Sequence, residues 1–83
     1  MEKILIRLIV PAIEQEHDMY IPGFLTVREL TELILRAVQE VSGHSFITSG
    51  NEVLCLRERN IILDPGMTAF DYDIKNGDHI VLI

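Results

Sequence analysis

Thr26-Val27-Arg28-Glu29 is the most constraining stretch of this chain. It has the form T-x-x-E, a capping box: the Thr26 hydroxyl accepts the N3 backbone N–H, and Glu29 reaches back to the cap. Apolar residues then recur at three- and four-residue spacing, namely Val27, Leu30, Ile34, Ala37, Val38 and Val41, with Leu33 widening the stripe. Glu29, Glu32, Arg36 and Glu40 fall on the wet side, and Glu32–Arg36 is a supportive i,i+4 pair. Gly43 is a natural C′ stop. The spacing predicts one amphipathic helix over Val27–Ser42. Such a helix must lay its stripe on a second layer, and one helix can cover one face of one small sheet.

The remaining segments supply that sheet. Lys3–Val10 (KILIRLIV) is rich in β-branched residues, with Ile4, Ile6 and Leu8 on one face and Leu5, Arg7 and Ile9 on the other. Pro11 ends it. A second strand is predicted over Glu16–Ile21 and is stopped by Pro22-Gly23. The short connection around Ala12–Gln15 suits an antiparallel hairpin. His44–Asn51 reads as a loop, Glu52–Arg57 as a third strand and Ile61–Leu63 as a short fourth. Asp64-Pro65-Gly66 is a strong turn signal. Thr68-Ala69-Phe70-Asp71 reads as a second cap, opening a short helical turn that ends near Ile74. Asn76-Gly77-Asp78 turns the chain again, and His79–Ile83 is a last strand. The order is β-β-α-β-β-turn-β. It predicts an α+β chain of the β-grasp type, a mixed sheet of about five strands with the last strand parallel to the first. No repeat, linker or low-complexity tract breaks the sequence, so residues 1–83 read as a single domain.

Composition matters here for what it excludes. In a chain this short a single core is near the lower limit of what folds unaided. One cysteine cannot form an intrachain disulfide. The 48% hydrophobic content is what such a core requires. Seven Lys/Arg against thirteen Asp/Glu argue against a nucleic-acid surface and against attraction to anionic lipid. The longest apolar stretch, Ile4–Val10, is interrupted by Arg7 and falls short of the roughly 20 residues a membrane span needs. No signal-peptide h-region or cleavage site follows Lys3. A lone thiol fits a reducing cytosol.

Two sets of residues carry a resemblance to known proteins. Leu63-Asp64-x-x-x-Thr68-x-x-Asp71-Tyr72-x-Ile74 resembles the corresponding stretch of ubiquitin. Asp18-x-x-Ile21-Pro22 is followed by the capped helix beginning Val27-x-x-Leu30. Later, Ile62-Leu63-Asp64-Pro65 leads through Ile74-x-x-Gly77-Asp78 into the terminal strand. In order and spacing, over nearly the whole chain, these resemble the YukD/EsaB family of small ubiquitin-like proteins. That family is associated with the WXG100 (type VII) secretion systems of Gram-positive bacteria, and a related domain forms the cytosolic N-terminus of a multispanning component of the mycobacterial systems. The resemblance implies a non-catalytic adaptor. Its partners would be cytosolic parts of the secretion membrane proteins or the associated FtsK/SpoIIIE-type ATPase. It also implies a cytoplasmic location, at most peripheral to a membrane secretion complex. A fold of this kind does not by itself fix a function.

The chemistry of catalysis finds little support. Ubiquitin-like modifiers and sulfur carriers react through a C-terminal Gly-Gly, whereas the sequence printed here ends Val81-Leu82-Ile83. That reading stays open only if codons after Ile83 encode such a tail. A generic β-grasp interaction domain, part of a larger membrane protein, also stays open. Cys55 with His17, His44 or His79 offers a nucleophile and base in principle, but no local nucleophile signature surrounds it. The spacings are not those of a metal site. Asp71, Asp73 and Asp78 lack the order of a calcium loop, and turn chemistry explains them better. Singly scattered glycines make no phosphate cradle, so no cofactor is expected.

The informative surplus is apolar. With Ile80 and Leu82 inward on the last strand, Val81 and Ile83 point outward. With Leu54 and Leu56 inward on the third, Val53 and Cys55 point outward. Leu5, Ile9, Cys55, Val81 and Ile83 then share the helix-free face, edged by Lys3, Arg7 and Arg57. A contiguous apolar patch of that kind marks a protein-interaction surface, homodimerisation included. The plainer account is surface aliphatics of ordinary strand composition. Ubiquitin uses the matching face of its sheet for most partners, and both accounts stay open at the level of sequence.

Overall fold

A computed structural model describes residues 2–83. Its first strand, β1 (Lys3–Val10), turns through a single 3-10 turn at Pro11–Ile13 into β2 (Gln15–Pro22). Glu14 takes a left-handed conformation, φ 53°, to close the hairpin, and its N–H bonds to the Pro11 carbonyl. The helix α1 (Val27–Val41) crosses the sheet, and β3 (Leu54–Leu56), β4 (Ile61–Ile62) and β5 (His79–Leu82) complete it. The strand order is β2-β1-β5-β3-β4. β1 and β5 are parallel and the other neighbours antiparallel. This is the expected β-grasp arrangement: one five-stranded mixed sheet, one helix, and the terminal strand in the middle.

The capping box forms as its sequence dictates. The Glu29 N–H donates to Thr26 Oγ1 at 3.2 Å, and the Thr26 N–H donates to Glu29 Oε1 at 2.9 Å. The helix ends one residue before the expected Ser42, and Gly43 adopts φ 63°, the left-handed geometry a side chain would disfavour there. Of the predicted stripe, Val27, Leu30, Ile34 and Val38 are buried. Leu33 and Val41 are not: they stay 39% and 53% exposed. Val41 lies beside β2, where it lines a groove with Ala37, His17 and Met19.

The inward faces of β1, β3 and β5 meet that stripe. Ile4, Ile6, Leu8, Val10, Leu54, Leu56, Ile80 and Leu82 are buried, as are Ile21, Phe46, Leu63, Ala69 and Ile74 around them. Among the described residues no polar or charged side chain is buried. The core is therefore a dry hydrocarbon layer without interior chemistry.

Four strands differ in extent from the expectation, β4 and β5 each ending one residue early, at Ile62 and Leu82. β2 is one residue longer at each end than Glu16–Ile21, because the tight 3-10 turn lets pairing start at Gln15 with Val10. β3 is shorter than Glu52–Arg57, although Val53 and Ile83 exchange two backbone hydrogen bonds of 3.0 Å and the Arg57 N–H donates to His79 O. The segment from Thr68 to Ile74 forms the expected short turn, with the Tyr72 N–H on the Thr68 carbonyl at 3.4 Å, and goes no further into regular helix. Thr68 and Asp71 do cap each other, through Asp71 N–H to Thr68 Oγ1 at 3.0 Å and Thr68 N–H to Asp71 Oδ2 at 2.9 Å. The chain then breaks at Asp73, φ 55°, before a second helical turn can form. What results is a knot of turns. It is tied by the Tyr72 hydroxyl, which accepts the Asp64 N–H at 2.7 Å.

Candidate interaction surface

Strand alternation decides which side chains reach the helix-free face, and register decides which of them meet. Ile9 lies opposite Val81, Val81 opposite Cys55, and Cys55 opposite Ile62. These four make one apolar row across four strands. Ile83, two residues beyond Val81, is 67% exposed and pairs with Val53, which is 38% exposed. The row and this pair are adjacent, so Ile9, Val81, Cys55 and Ile83 come together as expected. Ile62, at 66% exposure, belongs with them and was not among the sequence-derived candidates. Its position was readable: Leu63 is a core residue, and alternation turns its neighbour outward.

Leu5 does not join this cluster. Its register partner on β2 is Tyr20, and its N–H and carbonyl are bound by Asn76 Oδ1 and the Gly77 N–H. Between Leu5 and Ile9 runs a polar band formed by Asp18, Arg7 and His79, which occupy one register. Arg7 is not a free basic rim either. Its Nε lies 3.2 Å from Glu16 and its Nη1 3.0 Å from Asp18. The hydrogen bond to Asp18, then that to Glu16, raise its pKa above the ordinary arginine value. Arg57 and Lys3 remain exposed at the margins.

His79 is held by Glu58. The Glu58 carboxylate accepts the His79 N–H at 2.8 Å and lies 2.5 Å from its ring Nδ1. Burial pushes the Glu58 carboxyl up, but the His79 backbone and ring bonds outweigh it, so Glu58 sits below the usual glutamate value. The ring Nδ1 is thereby engaged with a carboxylate. Asp71, Asp73 and Asp78 are likewise spent on turns: Asp71 on Thr68, Asp73 on Lys75 at 2.7 Å, and Asp78 on the Lys75 N–H. The described residues hold no group of three or more His, Cys, Asp or Glu side chains placed to bind a metal ion. No helix among them is long and apolar enough to cross a membrane. This face presents a half-exposed aliphatic row flanked by a polar band of Arg7, Glu16, Asp18 and His79.

The connectivity and sheet order define a ubiquitin-like β-grasp fold. No family model matches the sequence, and no curated protein matches it. Solved structures match its backbone. The EccD5 ubiquitin-like domain from Mycobacterium xenopi has a TM-score of 0.82 at 12% identity, covering 100% of this chain and 94% of that one. The ubiquitin-like domain of the Mycobacterium tuberculosis type VII secretion system protein EccD1 gives 0.78 at 12% identity, covering 100% and 99%. A ubiquitin-like domain from Arabidopsis thaliana gives 0.74 at 19% identity, covering 100% of this chain and 78% of that one. At such identities the likeness is one of fold.

Proposed function

We propose that this chain is a non-catalytic ubiquitin-like adaptor of a type VII (WXG100) secretion system, of the YukD/EsaB kind. It works in the cytoplasm by docking the Ile9–Val81–Cys55–Ile62 row onto the cytosolic part of a membrane component or onto the FtsK/SpoIIIE-type ATPase. The observation that carries the reading is that aliphatic row. It lies outside the core, and the fold has no need of it. The backbone likeness to the EccD domains and the motif order of the sequence support the secretion assignment. The wholly apolar interior supports a binding role over a chemical one.

The test uses purified components. The cytosolic segments of the secretion membrane proteins and the ATPase are titrated with the chain by calorimetry. Binding to one of them is expected, and Val81→Asp is expected to abolish it while the circular dichroism of the helix is unchanged. Failure of every component to bind would sink the secretion assignment. Undiminished binding by the Val81→Asp variant would instead sink the role of this face.

A further inference from the structure

A recess at the start of β1 forms a second site, apart from the row just described. Along a strand the N–H and C=O groups of successive residues point to opposite sides. The Arg7 N–H bonds to the Asp78 carbonyl and the Leu5 carbonyl accepts the Gly77 N–H, so the odd residues of β1 turn their main-chain groups toward β5. β5 itself pairs only with Arg7, Leu8 and Ile9. Upstream of that pairing a side chain takes over, and the Leu5 N–H donates to Asn76 Oδ1 at 2.8 Å. Lys3 is the next residue of the odd series. Its N–H and C=O point to the same side, and among the described residues neither has a partner. An inner strand of the sheet thus carries unmatched main-chain groups beside a place the chain has vacated.

That place is a cavity of about 500 Å³. The buried Ile4 and Ile74 and the half-exposed ring of Phe70 give it an apolar lining. Its polar lining is rich in donors. Because the Leu5 N–H is itself a donor, Asn76 must meet it with oxygen, which leaves the amide nitrogen Nδ2 to the cavity. Lys3 also lines the cavity, and among the described residues it forms no ion pair. Of the two carboxylates on the lining, Asp73 is already paired with Lys75 at 2.7 Å, and Glu2 is exposed to solvent.

We propose that this recess binds the C-terminal residue of a partner protein, with its carboxylate free and its side chain aliphatic. The last residue of a chain combines one N–H with a carboxylate, which suits one main-chain acceptor set among several donors. Strand geometry fixes its placing. A segment entering in the line of β5, parallel to β1, gives the N–H of its last residue to the Lys3 carbonyl. That residue then stands level with Ile4, and its side chain points to the face of Ile4, where Ile74 and Phe70 supply hydrocarbon. Its carboxylate is carried toward Leu5, where Asn76 offers Nδ2, and Lys3 contributes the uncompensated positive charge. This inference stands apart from the docking of the Val81 row.

The experiment titrates the isotope-labelled full chain with the peptide acetyl-Gly-Ser-Gly-Leu, its carboxylate free, and follows the chain by NMR. The controls are the same peptide as its C-terminal amide, the peptide ending in Gly in place of Leu, and the reversed peptide Leu-Gly-Ser-Gly-amide with a free amine. Saturable shifts are expected at the Lys3 and Leu5 amides and at the Asn76 side-chain amide, with Val81 and Cys55 unmoved. Each control is expected to bind at least about tenfold more weakly. Asn76→Asp keeps an oxygen for the Leu5 N–H and replaces the donor by a carboxylate, so it is expected to weaken binding about tenfold or more. Lys3→Gln, which leaves the main chain in place, is expected to cost about threefold. Absence of a saturable shift at these amides, equal binding of any control, or undiminished binding by Asn76→Asp would each overturn the proposal. So would a dimer closed through this recess that the peptide fails to dissolve.

Discussion

The two faces of the sheet are written in the same strands with nearly the same residues, and they end in different states. Ile4, Ile6 and Leu8 on one side of β1 are buried under α1, while Leu5 and Ile9 on the other side stay half-exposed. Ile80 and Leu82 are buried, and Val81 and Ile83 between and beyond them are not. The difference is the helix. A face becomes core when a second layer arrives to cover it, and α1 is the only long element available among the described residues. The aliphatic residues of the uncovered face are therefore surplus to folding. Their energetic worth should differ accordingly.

The sharpest way to break the comparison is to truncate one residue on each side. Ile34→Ala removes a fully buried side chain of the helix stripe and should cost about 2–5 kcal/mol in urea denaturation. Ile83→Ala, on the exposed face, should stay within about 0.5 kcal/mol of wild type by the same measurement. Comparable losses at the two positions would mean that the uncovered face also belongs to the core.

Much of this contrast was legible in the sequence, because a period of two assigns every strand residue to a face. The capping box and the hairpin followed from local signals, and the parallel return of the last strand from the order of the elements. What eluded a sequence reading depends on register or on packing. Arg7 looks like a free cation until the turn at Pro11–Ile13 sets Glu16 and Asp18 beside it. Leu5 and Ile9 look like neighbours until His79 is placed opposite Arg7 and a polar band divides them. Val41 and Leu33 fit the helix stripe, yet they stay exposed in the fold. Thr68–Asp71 carries a true reciprocal cap and opens the single expected turn, which the left-handed Asp73 closes.

A smaller effect lies where the covered side closes. The Phe70 ring sits against Gly23, and the Phe70 N–H donates to the Gly23 carbonyl at 3.0 Å. A Cβ at Gly23 would fall 2.2–2.6 Å from three ring carbons of Phe70. Because the ring is half-exposed it can swing aside, so Gly23→Ala should cost about 1–2 kcal/mol rather than unfold the chain. Pairing it with Phe70→Ala should recover part of that loss in a double-mutant cycle. Purely additive losses would show that the contact carries no energy. At the helix start, Thr26→Ala removes the hydroxyl that accepts the Glu29 N–H and should cost about 1 kcal/mol by thermal or urea unfolding.

Acidification gives the smallest effect and separates the two sides by a different lever. Glu29 belongs to the cap of the covering helix, and Glu58 to the uncovered face, where it holds His79. Both carboxyls sit below the ordinary glutamate value of 4.5, Glu29 through the backbone and then the hydroxyl of Thr26. A depressed carboxyl pKa stabilises the folded chain fully above its unfolded value, and that contribution disappears as pH falls through the folded one. The wild-type urea midpoint should thus be insensitive to these two groups near neutrality and decline below about pH 4.5. Glu29→Gln and Glu58→Gln should each make that acid decline shallower, since an amide binds no proton in this range. If a partner docks on the Val81 row, only Glu58 lies on the face it approaches. Partner binding by Glu29→Gln should then follow the wild-type pH profile, whereas Glu58→Gln, which loosens His79, should alter it. An identical shift in both variants would show that pH acts through overall stability and leave the two faces electrostatically equivalent.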